Sequence, residues 1–217
     1  SSRQARAMGQ RTRFGRKAQE TAWKTAEVDA LELLTTVGVR VPIPYGFFHG
    51  VLLMELITDD EGRSAPGLGE VKHSPEQARE FHQFLIGQIV RMLCAGLVHG
   101  DLSEYNVLVG ADGPVIIDLP QVVSATGNNN ARTMLLRDVH NITATLGRYE
   151  PDLMHSRFGE EMWAKFETGK LQPDSALSGK FLDDTSAADV EGTLLDIEDA
   201  KLEESLRQAG RDQANQN

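Results

Sequence analysis

The stretch from 74 to 121 limits the fold most. Within it, "SPEQAREFHQFLIGQIVRMLCAGL" leads through "VHGDLSEY" into two apolar runs, "NVLV" and "PVIID", joined by "GADG". Ser74 before Pro75, with Gln77 three residues on, is an N-cap, a first-turn proline and a capping-box partner. The apolar positions Phe81, Phe84, Leu85, Ile89, Val90 and Leu93 recur at three-to-four spacing, so they form one helical stripe, and Gly96 ends it. The two short runs around an Asp-Gly read as a hairpin. A long helix feeding a hairpin through a tight polar loop fits a chain of alternating helices and short strands, an α+β pattern.

Around this centre, "ETAWKTAEVDALELLTTVG" carries Trp23, Val28, Leu31, Leu34 and Val37 at helical spacing and ends at Gly38. "VPIPYGFF" is extended and punctuated by proline, "GVLLMELI" is a short strand, and "DDEGRSAPGLGE" is a loop by composition. "NNARTMLLRDVHNITATLGRYE" predicts another helix. "PDLMHSRFGEEMWAKFETGKL" keeps apolar spacing and is expected to pack on the same domain.

Charge is divided along the chain. The net value is -10 over 217 residues, yet Arg3, Arg6, Arg11, Arg13, Arg16 and Lys17 occur with no acid before residue 18, and residues 183 to 204 hold nine acids against Lys201. The basic arm suits phosphate or simple solvation, and direct nucleic-acid binding stays open. The acidic tail argues against a general nucleic-acid binder. The tail also reads as an amphipathic helix. No apolar run approaches the roughly 20 residues needed to cross a bilayer, so no membrane partner is expected. One cysteine, Cys94, allows no internal disulfide; a reducing cytoplasmic setting and a core role for Cys94 are expected.

The polar residues of the central stretch are ordered in a telling way. Asp101 follows the helix in a tight loop, Asn106 opens the first strand of the hairpin, and Asp118 closes the second. A hairpin returns its two ends to one rim, so the three can converge. An acid to take a hydroxyl proton, with an amide and a second acid to hold Mg²⁺, is what phosphoryl transfer requires. Turn chemistry alone accounts for an isolated Asp-Gly, but not for this ordered trio.

"HGDLSEYN" followed by "IIDLPQ" resembles the catalytic and metal loops of the RIO family of atypical serine/threonine protein kinases. "WKTAEVDAL", "GVRVPIPYG", "VLLMELI", "APGL" and "LLRDVHNI" match the family in order, over roughly residues 11 to 150. Ser103 stands where conventional kinases have lysine, and Asp118-Leu119-Pro120 where they have Asp-Phe-Gly.

The resemblance implies a two-lobed protein-kinase-like fold. Residues 1–57 would be a partial N-lobe with basic arm, helix C and hinge strand. Residues 58–182 would be a complete, mostly helical C-lobe, and 183–217 an acidic tail. It implies Asp101 as catalytic aspartate, Asn106 and Asp118 as Mg ligands on ATP, Glu27 as the partner of a nucleotide-contacting lysine, and Met54, Glu55 and Ile57 as the hinge that meets adenine. His99 would brace the loop. Protein substrates or the chain itself, and ribosomal particles, are the partners implied.

The Gly-rich loop and lysine that the family places ahead of Glu27 have no counterpart here, where only Lys17 and Lys24 occur. The chain is therefore expected to be the C-terminal portion of a longer protein, with its own activity open. Two alternatives carry weight. One is an aminoglycoside-type phosphotransferase, which the His99-Gly100-Asp101 triplet resembles; the other is a pseudokinase-like binding module. Retention of the acidic pair opposes the second, since close carboxylates repel until a cation joins them.

Overall fold

The computed structural model describes residues 28–48 and 51–182. Glu27, Trp23, the basic arm and the acidic tail lie outside the described residues. Described residues up to Lys180 belong to one compact unit.

Residues 28–36 form helix α1, whose face of Ala30, Leu31 and Leu34 is buried. It stops because Gly38 turns left-handed (φ 76°), which lets the Val39 N–H donate to the Leu34 carbonyl at 2.9 Å. Strands β1 (Pro44–Phe48) and β2 (Val51–Met54) form an antiparallel hairpin with an irregularity between Pro44 and Gly46. Much of its apolar surface is exposed, including Tyr45, Phe48, Val51 and Leu53. At the hairpin's base Arg40 clamps Glu55 through two nitrogens at 2.8 Å each, its N–H donates to the Gln88 side chain at 2.7 Å, and its carbonyl accepts from Ile116.

Helix α2 (Pro75–Cys94) begins with the capping box read from sequence: the Gln77 N–H donates to Ser74 Oγ, and the Ser74 N–H to Gln77 Oε1. Its buried face keeps Leu85, Ile89, Val90 and Leu93 of the expected stripe and departs from it at two phenylalanines, Phe84 being exposed and Phe81 half-buried. Ala78, His82, Ile86 and Gln88 are buried as well. A polar contact lies within that face, where the His82 ring meets the Thr143 hydroxyl at 2.9 Å. Cys94 is half-buried at the core's edge.

Strand β3 (Leu97–Val98) pairs with β6 (Val123–Ser124). Strands β4 (Val107–Gly110) and β5 (Gly113–Ile116) form the second hairpin around Ala111 and Asp112. Helices α3 (Ala131–Gly147) and α4 (Phe158–Glu167) complete the helical layer. Glu161 of α4 receives the N–H groups of Ser178 and Gly179 at 2.8 Å each, tying down the segment after the helix.

One main core runs from Ala30 and Leu34 through Leu85, Leu93, Leu102 and Ile116 to Leu135, Ile142 and Met162. It crosses the boundary expected at 57/58, so α1 shares its interior with α2 and α3. A small second core joins Ile57, Ala65 and Val115. No helix among the described residues is long and apolar enough to cross a membrane.

Candidate phosphoryl-transfer site

The loop from His99 to Asn106 lies across α3, whose side chains hold several of its backbone groups. Asp138, only 1% exposed, accepts the Gly100 N–H at 2.8 Å on one oxygen and the Leu102 N–H at 2.9 Å on the other. Arg137 donates to the Gly100 carbonyl, Asn141 to the Leu102 carbonyl at 3.0 Å, and Thr145 to the Glu104 carboxylate at 3.1 Å. Burial pushes the Asp138 carboxyl above the ordinary carboxylate range; its two N–H donors and the nearby His99 and Arg137 pull the other way.

Gly100 has a positive φ of 83°, and a Cβ placed there would lie 2.9 Å from the Gln121 carbonyl oxygen. The glycine of the His-Gly-Asp triplet is thus dictated by local backbone packing.

The same loop is stitched to the end of the second hairpin. Asn106 donates its Nδ2 to the Asp101 carbonyl at 2.7 Å, and its own carbonyl accepts the Ile117 N–H at 3.0 Å. The His99 ring meets the Ile117 carbonyl at 3.1 Å, which gives it the bracing position expected from sequence. Asp118 is the next residue, and among the described residues it is the one non-glycine with positive φ (φ 64°, ψ 65°). Such a conformation costs on the order of 1–3 kcal/mol and concentrates at functional sites.

The backbone therefore brings the segments of Asp101, Asn106 and Asp118 together. Asp101 and Asp118 are exposed, and the Asn106 amide, its nitrogen engaged, has an oxygen with no partner among the described residues. Among the described residues no group of three or more His, Cys, Asp or Glu could hold a metal by itself. Two hard oxygen donors, Asn106 and Asp118, suit a cation that takes most of its ligands from water and substrate phosphates, as Mg²⁺ does.

The expected hinge residues play unequal parts. Met54 ends β2 and is partly exposed. The Glu55 N–H donates to the Ile43 carbonyl at 2.8 Å, and its carboxylate, held below the usual range chiefly by the Arg40 hydrogen bonds, pairs with that guanidinium. The Ile57 side chain is buried and its carbonyl accepts from Ala65. Among the described residues the Glu55 carbonyl and the Ile57 N–H have no hydrogen-bond partner, an acceptor and a donor two residues apart.

Sequence reasoning passed over Asp138. The signal was present: an acid on the apolar face of α3, between Leu135 and Ile142. Gln88 on α2 and Glu161 on α4 share that placement, and each also holds loop backbone.

The model of the RIO domain family matches residues 1–158. The RIO-type serine/threonine-protein kinase Rio1 of Haloferax volcanii is 39% identical over 134 residues, covering 60% of this chain and 44% of that protein. The serine/threonine-protein kinase RIO1 of Homo sapiens is 34% identical over 136 residues, covering 62% of this chain and 24% of that protein. The serine/threonine-protein kinase rio2 of Schizosaccharomyces pombe is 34% identical over 119 residues, covering 54% of this chain and 32% of that protein. The chain spans less than half the length of each of these relatives.

Proposed function

We propose, for a chain that belongs to the RIO domain family, a part in ATP-dependent phosphorylation of serine or threonine hydroxyls in protein. The observation that supports this most is the pair formed by Asn106 and Asp118. The amide is oriented through the Asp101 carbonyl, and the acid is held in a strained left-handed backbone at the end of the adjoining hairpin. Asp101 would orient the acceptor hydroxyl and take its proton. The acceptor oxygen then bonds to the γ-phosphorus as the bond from that phosphorus to the bridging oxygen breaks, and ADP leaves. Asn106 and Asp118 would hold Mg²⁺, which neutralises charge on the phosphate oxygens when bound. The Glu55 carbonyl and the Ile57 N–H would meet the adenine edge. A cytoplasmic setting and action on another protein or on the chain itself belong to the same proposal.

Incubation with γ-labelled ATP and Mg²⁺ tests it, with label on protein and free phosphate both followed. Asp101→Ala is expected to lower turnover by about 10²–10⁴, the usual worth of a general base. Asp118→Asn is expected to weaken Mg²⁺-dependent binding of a fluorescent ATP analogue. If both variants match the parent in turnover and binding, the site assignment is wrong.

A further inference from the structure

The clamped loop leaves one large side chain with nothing to do. Burial along it alternates: Gly100 and Leu102 are buried and Glu104 pairs with α3, while Asp101 and Tyr105 are exposed and Ser103 is half-buried. Tyr105 is 80% exposed, more than any other phenylalanine, tyrosine or tryptophan for which the exposure is described. Among the described residues neither its ring nor its hydroxyl has a partner. Yet it is flanked by Glu104, tied to Thr145 and Arg148, and by Asn106, tied to Asp101 and Ser103. A ring so exposed contributes no packing of its own to the fold. On a fixed backbone it loses only two torsions on contact, which makes it an inexpensive recognition surface.

The short connection beyond Asp118 adds to this. Only residues 119–130 separate Asp118 from α3, and they are occupied by a helical turn, the short strand β6 and a turn before the helix. An acceptor polypeptide thus finds few elements here to lie against other than the catalytic loop itself.

We propose that the Tyr105 ring is the contact surface for the polypeptide that delivers its hydroxyl to Asp101, and that it favours an acceptor with a lysine or arginine beside that hydroxyl. This rests on the assignment of Asp101 above. The ring face attracts a cation, the exposed Asp101 carboxylate lies four residues away in the same loop, and the chain's net charge of -10 favours a basic partner. A tyrosine at this place reads the residue next to the acceptor, while Asp101 handles the hydroxyl.

Initial rates of the full chain with myelin basic protein as acceptor decide it, with the acceptor KM and the ATP KM measured separately. Tyr105→Ala is expected to raise the acceptor KM about tenfold with the ATP KM within twofold of the parent. Tyr105→Phe, which keeps the ring, is expected to restore the acceptor KM. An acceptor KM unmoved by Tyr105→Ala overturns the proposal. So does a parallel rise in both KM values together with a lower urea midpoint, which would make Tyr105 a structural residue. An Asp101→Asn control with undiminished turnover would remove the assignment of Asp101 and the proposal with it.

Discussion

The loop at Asp101 and the β1–β2 hairpin are built on opposite terms. The loop is held by side chains of one helix that reach its backbone atom by atom, and its anchor Asp138 is almost fully buried. The hairpin is held by its own ladder and by the Arg40–Glu55 clamp at its base, and its apolar side chains stand largely in solvent. Both carry candidate site groups, yet of different kinds. The loop presents side chains that must be placed to within a fraction of an ångström of a reacting atom. The stretch leaving the hairpin presents backbone groups for a planar ring, for which extended chain is sufficient. Rigidity is concentrated where bonds would be made and broken.

The largest expected effect strikes the clamp. Asp138→Ala leaves two buried N–H groups without acceptors at about 1–3 kcal/mol each, so a loss of about 2–6 kcal/mol is expected by urea unfolding. Faster hydrogen exchange at Gly100 and Leu102 should accompany it. A loss below about 1 kcal/mol would erase the distinction between the two regions.

A smaller effect lies in pH. Burial pushes the His82 imidazole down to about 4 from its ordinary 6.5, so the folded state holds it neutral. Protonation then favours the unfolded chain. The contribution is complete above about pH 6.5 and is lost as pH falls toward 4, by about 3 kcal/mol in all at 1.36 kcal/mol per pH unit. Unfolding midpoints taken across that window should fall for the parent and flatten for His82→Gln. Equal slopes would place the acid sensitivity elsewhere.

The smallest effect is expected on the hairpin. Val51→Thr removes apolar surface that is already exposed and should change stability by no more than about 0.5 kcal/mol. Amides of β2 should exchange faster than those at the centre of α3. Protection equal to that of α3 would show that the hairpin is as fixed as the loop.

Much of this was legible in the chain. The capping box at Ser74, the Asp-Gly hairpin and the order Asp101, Asn106, Asp118 depend on neighbours close in sequence, and local rules reach them. The burial of His82 on α2 was not legible, because its partner Thr143 lies 61 residues away. Asp138 was missed for the same reason: its partners are backbone N–H groups, which every residue type carries and no side-chain pattern marks. A polar residue on the apolar face of a helix was the usable sign, and Gln88, Asp138 and Glu161 all bear it.

The spacing of the anchors on α3 also carries a constraint. Arg137, Asn141 and Thr145 follow one another at four-residue intervals, about 6 Å each along a helix axis, so with Asp138 they stand on one face of α3, and each reaches the loop between Gly100 and Glu104. A single residue inserted into α3 between Arg137 and Thr145 would turn the later anchors by about 100° and leave them facing away from the groups they hold.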